Sequence, residues 1–358
     1  MNCLITALSQ AAAIALLVLP QGRLAIAADL ELPKVHVESV WRAFNNGEHN
    51  AFTDLCRFRG QYFLTFRSCP AGHGVNPTAS IIVLSSDDTK TWQQVHRFNV
   101  PLRDTRDPHF LVFREKLFVY TGTWYCGTSA PESYDMNELL GYGCWSSDGS
   151  SWQGPQMLEG TYGHYVWRAA TYGGKAYLCG RRKRDFAKVA SREERDAIVE
   201  SALLDSDDGF VWRKAGLFQE HYGDETAFLF ENDGSILAVA RSGGKRNAQV
   251  CRAQPPYQQW QRIDLDRYIG GPLVTRWGGW TLVGGRRTTG PAVTSLCWLV
   301  DDKLQEFAEL PSGGDTSYPG FVQLSPTKAL VSYYSSHEKN DDGQSMTAIY
   351  LAELVIAQ

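Results

Sequence analysis

Three stretches of the chain carry one pattern at an even interval: SSDDTKTW at 85–92, SSDGSSW at 146–152 and DSDDGFVW at 205–212, closed by Trp92, Trp152 and Trp212. Each has Ser or Asp, an Asp two residues on, a turn residue and then the Trp. Strand-like runs such as SIIVLSS and WQQVHRF flank the polar cluster, so each unit reads as a β-hairpin. The carboxylate accepts backbone N–H groups of the turn, and the Trp folds back to cover it. Such hairpins recurring roughly every 45–60 residues leave few folds open. A four-stranded sheet with two apolar faces cannot bury both alone and must stack on neighbours around a ring.

The pattern then decays. QPPYQQW ends at Trp260 and LVDDKLQEF reaches Phe307; both keep an aromatic after a turn and lose the Ser-x-Asp. At roughly 55 residues per unit the chain makes six units. The expected fold is therefore an all-β, six-bladed β-propeller with four antiparallel strands per blade; five blades is the alternative count. The final strand, AIYLAELVIA, is expected to pair with residues near 35–45, closing the ring and hiding its edges. The 33 glycines and eleven tryptophans suit many short strands joined by tight turns.

Residues 1–27 read as a secretory signal peptide, with the apolar LITALSQAAAIALLVLP followed by the small-residue site Ala25-Ile26-Ala27. Residues 28–358 are then a single propeller domain, secreted or periplasmic. No later stretch nears the roughly 18 apolar residues of a membrane span, so none is expected. With Lys and Arg outnumbered by Asp and Glu and a net charge of −4, no nucleic-acid partner is expected either. GRRKRDFAK at 180–188, followed by SREERDAIVE, reads as a solvated charged excursion with a single helical turn. After Cys3, seven cysteines remain without any C-x-x-C, which argues against zinc. They read as buried strand thiols, with Cys56–Cys69 or Cys126–Cys144 as candidate disulfides. No metal or cofactor is implied, and a monomer is expected.

In a propeller the innermost strand of each blade lines the channel mouth, whereas the stapled turns lie between outer strands. Asp87, Asp148 and Asp207 are accordingly structural. The chemistry must come from the polar segments between staples, and these carry His73 and Arg67 (LTFRSCPAGHG), Arg106, Asp107 and His109 (RDTRDPHF), Arg168 (YVWRAATY), Glu225 (GDETAFLF), Arg241 (VARSGG), Arg286 and Arg287 (VGGRRTTG) and Tyr318 (DTSYPGF). One Arg on a strand edge is ordinary surface; an Arg at a similar place in blade after blade points to a convergent polar pocket.

The staples resemble the Asp-box repeats of the sialidase superfamily, six-bladed propeller glycoside hydrolases, over most of the chain after the leader. The resemblance implies a Tyr nucleophile paired with a Glu, three Arg that clamp a substrate carboxylate, and an Asp as general acid. Glu225 resembles that Glu, Arg241 the second Arg, Arg286 or Arg287 the third, and Tyr318 the nucleophile, in the family's chain order. A phenol is a poor nucleophile at neutral pH, so a carboxylate must take or share its proton. A neutral oxygen also meets less repulsion from an anionic sugar than a carboxylate would, and guanidinium groups bind that sugar's carboxylate bidentately.

Two parts of the family pattern are absent. HNAFTDL, where the first Arg should fall, has none, and the loop after LTFR offers His73 in place of the acid Asp. Asp54, His73, His109 and Asp107 are the candidates for the acid. Burial in NAFTDLCRF should raise the pKa of Asp54 and keep it protonated, whereas the adjacent Arg106 should lower that of Asp107, suiting it to binding or to a base. The reading is an exported glycoside hydrolase acting on a terminal, neutral or anionic sugar of a glycan. Its catalytic set is Tyr318, Glu225, Asp54 and His73, and Arg67, Arg106, Asp107, His109, Arg168, Arg241, Arg286 and Arg287 bind the substrate. The alternatives are a non-catalytic glycan-binding propeller and a five-bladed glycosidase or lyase using Asp54, Asp107 and Glu225.

Overall fold

Four antiparallel strands hydrogen-bond side by side in each of six separate sheets, as a computed structural model that describes residues 31–357 shows. Five sheets follow chain order. The innermost strands are His49–Phe58, Arg103–Phe113, Tyr165–Tyr172, Gly223–Phe230 and Gly270–Trp277, opening blades I to V. Blade VI begins with Thr316–Gln323 and takes its outermost strand, Val35–Phe44, from the chain start, paired with Ser345–Ile356. The ring thus closes as expected, and the six-bladed count holds. The leader assigned to residues 1–27 lies outside the described residues, among which no helix is long and apolar enough to cross a membrane.

Blades stack through apolar layers made by alternate strand residues. Phe58, Phe63, Val83, Phe110 and Val119 form one such layer between blades I and II, and Leu111, Phe118, Val166, Leu178 and Trp212 form another between II and III. The polar turns sit at the rim. Asp88 accepts from the N–H groups of Lys90 (2.8 Å) and Thr91 (2.7 Å), Asp148 from Ser150 and Ser151, and Asp208 from Phe210 and Val211. Counting from the buried Ser86 and Ser206 moves the turn carboxylate one residue on from Asp87 and Asp207, which are exposed. The indole of Trp92 donates to the Thr89 carbonyl at 3.0 Å, and Trp260, in the decayed repeat, donates to Tyr257 at 2.9 Å.

All seven described cysteines are free, which overturns the proposed Cys56–Cys69 and Cys126–Cys144 bridges. The register explains it: Cys56 lies opposite Phe63 while Cys69 lies opposite His49, at the other end of the same ladder. Seven residues of strand separate the two thiols by roughly 23 Å.

A second repeat appears only in three dimensions. Every innermost strand breaks register at the same depth: between Ala51 and Asp54, Arg106 and His109, Val166 and Ala169, Gly223 and Thr226, Gly270 and Leu273, and Ser317 and Gly320. Two residues there face one on the neighbouring strand, a β-bulge that bends the strand and re-aims its side chains. Asp107-Pro108, Gly271-Pro272 and Tyr318-Pro319 use Pro at the second position, where no ladder N–H is needed. Phe52, Asp107 and Tyr318, at the first, have φ of 63°, 52° and 55°, a left-handed conformation held against its intrinsic cost by the surrounding sheet.

Candidate active site

The bulges of blades I, II, IV and VI turn Phe52, Asp107, Glu225 and Tyr318 into one cavity of about 340 Å³ at the channel mouth. The Tyr318 hydroxyl donates to Glu225 Oε1 at 2.8 Å. Arg241 Nη1 donates to Glu225 Oε2 at 2.9 Å and to the Tyr318 oxygen at 3.2 Å, and the Gly271 N–H adds a bond to Oε2 at 3.1 Å. Gly271 is obligatory here: at φ 57° a Cβ would sit 2.5 Å from the Tyr318 ring. Burial alone would raise the pKa of Glu225, but the charges of Arg241 and Arg181 and the two side-chain hydrogen bonds hold it below the usual carboxylate range. Burial and the Glu225 charge push the Tyr318 phenol well up, so at rest the proton stays on Tyr318.

A second carboxylate anchors the opposite wall. Asp315 accepts from His73 Nδ1 at 2.6 Å and His49 Nε2 at 3.0 Å through Oδ2, and from Tyr334 (2.9 Å) and Arg286 (3.2 Å) through Oδ1. Burial works against the charge on Asp315, but the two histidine hydrogen bonds outweigh it and its pKa is depressed. Burial lowers that of His49. With Nδ1 of His73 engaged, its Nε2 is the nitrogen left for other work. His49, His73 and Asp315 bring three ligand-type atoms within 4.8 Å of one another. Sequence spacing gave no hint of such a set, because Asp315 arrives from blade VI.

Of the residues singled out by sequence, Tyr318, Glu225, Arg241, Arg286, Arg106, Asp107 and His73 line this cavity. Asp54, Arg168 and His109 do not line it. They are buried, with Arg168 Nη1 on Asp54 Oδ1 at 2.8 Å and the Phe110 N–H on Oδ2 at 2.9 Å. Burial pushes Asp54 up, but the Arg168 charge, the His109 ring 3.5 Å away and the Phe110 N–H overcome it, so Asp54 is held ionised rather than protonated. Arg168 also donates to the carbonyls of Pro319 (2.5 Å) and Pro272 (3.3 Å), supporting the bulges of blades V and VI. His109 packs edge-on against Trp167.

Arg67 is fully buried, paired with Asp104 and bonded to the carbonyls of Gly72 and Gly74, so it fixes the loop carrying His73. Arg287 points away, to Glu306 and Glu309. Asp107 reverses its expected shift: burial first and the nearby Glu225 charge push it up to about 6 against the pull of Arg106. Arg106 spends its guanidinium on Asp104, while the Tyr165 hydroxyl donates to Asp107 Oδ2 and leaves Oδ1 without a partner.

Sequence reasoning missed Arg181, Trp124, Tyr134, Tyr165 and Arg192 in the cavity wall. Arg181 comes from the stretch read as a solvated excursion, but it lies in the last residues of the strand Lys175–Lys183 and pairs with Asp224. The signal was present: GRRK, VARS and VGGRR each put Arg at the inner end of a second strand. The excursion itself holds a seven-residue helix, Arg192–Ile198, with a capping box between Ser191 and Glu194.

No family profile and no curated protein matches the sequence. Solved structures match in fold. A protein of unknown function from Dyadobacter fermentans has a TM-score of 0.75 at 20% identity, over 91% of this chain and 100% of its own. Trypanosoma rangeli sialidase in complex with the inhibitor DANA gives 0.62 at 12% identity over 85% of this chain. A Hadza microbial sialidase gives 0.64 at 14% over 85%. The match spans only 55% and 65% of those two sialidase chains. The fold is a sialidase-like propeller.

Proposed function

We propose that the protein is an exported glycoside hydrolase that removes a terminal sugar from a glycan by way of a covalent intermediate on Tyr318. The observation that carries this is the buried Tyr318–Glu225–Arg241 constellation, in which one carboxylate and one guanidinium share a single phenol oxygen. Tyr318 attacks the anomeric carbon while its proton passes to Glu225 Oε1, and Arg241 offsets the charge developing on the oxygen. His73, held through Nδ1 by Asp315, gives a proton from Nε2 to the departing oxygen. Water then enters, loses its proton to His73 and breaks the Tyr–sugar bond, as Glu225 returns a proton to the phenol. Two displacements retain the anomeric configuration.

Phe52 occupies the bulge of the strand in which the sialidase pattern has its first Arg. The pocket guanidiniums carried by the blade strands are spoken for: Arg106 by Asp104, Arg181 by Asp224, Arg241 by Asp224 and Glu225, Arg286 by Asp315, and the remaining one, Arg192, comes from an insertion at the edge of the pocket. We therefore read the terminal sugar as one that does not need a three-arginine carboxylate clamp. The raised pKa and unpartnered Oδ1 of Asp107 favour a second reading of the acid, with Asp107 as the donor. The two differ in their mutants: His73→Ala, but not Asp107→Asn, should be rescued by aryl leaving groups that need no proton.

The test is turnover of a panel of aryl glycosides, sialosides and uronides included, with unfolding curves alongside. Tyr318→Phe, Glu225→Gln and the double variant should each fold and each lose activity by on the order of a thousandfold, because the pair acts as a unit. Normal turnover by folded Tyr318→Phe would defeat the assignment. A wild type that hydrolyses nothing yet retains glycans on an array would make this a binding propeller.

A further inference from the structure

The cavity at Tyr318 opens sideways into a second chamber of about 360 Å³, and the two share Trp124, Tyr134, Arg181, Arg192 and Arg241 as a common wall. The turn Gly243–Lys245 of blade IV and two insertions build it. One is the segment of blade II around the turn Met136–Glu138, and the other is the helix Arg192–Ile198 of blade III. Lys183 binds Asp135 at 2.7 Å, and Asn137 donates to the Phe186 carbonyl at 2.8 Å, so the two insertions brace each other.

The chambers differ in charge. In the inner one every blade-borne guanidinium faces a carboxylate, as described above. In the outer one Arg192, Arg195 and Lys245 converge; of its two carboxylates Asp224 is taken by Arg181 and Arg241, and Asp196 is held by Arg195 at 2.8 Å and approached by Arg192 only to 3.7 Å. No carboxylate pairs with Lys245 among the described residues, and the Arg192 side chain is 79% exposed. This surplus of positive charge stands on a chain whose net charge is −4. At the junction Tyr134, 52% exposed, packs edge-on against the buried Trp124 with ring centroids 4.7 Å apart, offering an aromatic face to a sugar ring.

We infer that the outer chamber is a subsite for the unit next to the scissile bond, and that it selects a sugar bearing a sulfate or carboxylate group, stacked on Tyr134 and held by Arg192, Arg195 and Lys245. This rests on the glycosidase reading of the inner cavity. The anion-binding role has moved from the terminal sugar to its neighbour. A cationic wall with few internal partners binds an oxyanion through charge-assisted hydrogen bonds without first breaking ion pairs.

Binding to the Tyr318→Phe protein, followed by calorimetry, tests it without turnover. The probes are lactose, unsulfated chondroitin disaccharide with one carboxylate, and its 4-sulfated form. The charged disaccharides should bind at least about tenfold tighter than lactose, a preference that weakens as salt rises. The sulfated and unsulfated forms tell sulfate from carboxylate recognition. The triple variant Arg192→Ala/Arg195→Ala/Lys245→Ala should abolish the preference, and a Lys-for-Arg variant at 192 and 195 should keep part of it. Equal binding of lactose, or a preference that survives in the folded triple variant, overturns the subsite. An inert wild type that still shows the preference supports the subsite and overturns the catalytic reading alone.

Discussion

The molecule carries two repeating features, and they obey different rules. The stapled turns at the rim survive in three blades, and each is complete within seven consecutive residues: Ser86 to Trp92, Ser146 to Trp152 and Ser206 to Trp212. The bulges at the mouth occur in all six blades yet hold unlike residues, Phe52-Thr53 in blade I and Asp224-Glu225 in blade IV. A turn is a local hydrogen-bonding problem with few solutions, so its residues repeat. A bulge is a backbone shape that many residues adopt, so the ring keeps the shape and varies what it presents. Repetition marks what holds the protein together, and its breakdown marks what the protein does.

The largest effect that would sharpen this contrast is at the mouth: Tyr318→Phe removes one oxygen and should cost activity on the order of a thousandfold with an unchanged unfolding midpoint. Next is the support beneath the bulges. Arg168→Met leaves Asp54 ionised and buried without its partner, and should cost about 3–5 kcal/mol in chemical denaturation. It should also lower kcat more than it raises KM, because the Pro319 carbonyl loses its donor. A variant as stable as the wild type would mean that the bulges hold themselves.

Asp107 gives a smaller, pH-dependent effect. Its folded pKa of about 6 lies above the usual range of an aspartate, about 4, so the fold prefers it protonated. Stability from this group is present in full below pH ~4 and falls as the pH rises towards ~6. Asp107→Asn should remove that slope and raise stability at pH 7 by about 3 kcal/mol. An unaltered pH–stability curve would count against the burial that sets the shift. The smallest effect should come from the rim: Asp148→Ala should lower the unfolding midpoint by a few degrees and leave turnover per folded molecule intact. Loss of turnover at full stability would erase the division between rim and mouth.

Much of the fold was legible because it is written locally. Even spacing of Trp92, Trp152 and Trp212, turn chemistry and strand alternation led to six blades, and the apolar AIYLAELVIA led to the closing strand. Tyr318, Glu225 and Arg241 were legible through chain order, and the structure brings them within hydrogen-bond distance. Protonation states were not legible. Arg106 is the chain neighbour of Asp107, yet its guanidinium turns to Asp104. Asp54 looked like an unpaired carboxyl in an apolar strand until Arg168, two blades on, arrived beside it.

The amino-acid sequence alone determined the propeller class, the segments that carry the staples and the types of side chain available at the mouth, since each depends on residues close together in the chain; the closed ring decided six blades over five. Which of those side chains meet was decided only by the closed ring. Six bulges at one depth bring together groups as far apart as Phe52 and Tyr318, and closure of the ring sets Asp315 between two histidines of blade I. Electrostatics act through space, so the charge on a buried group depends on partners that the chain order does not reveal.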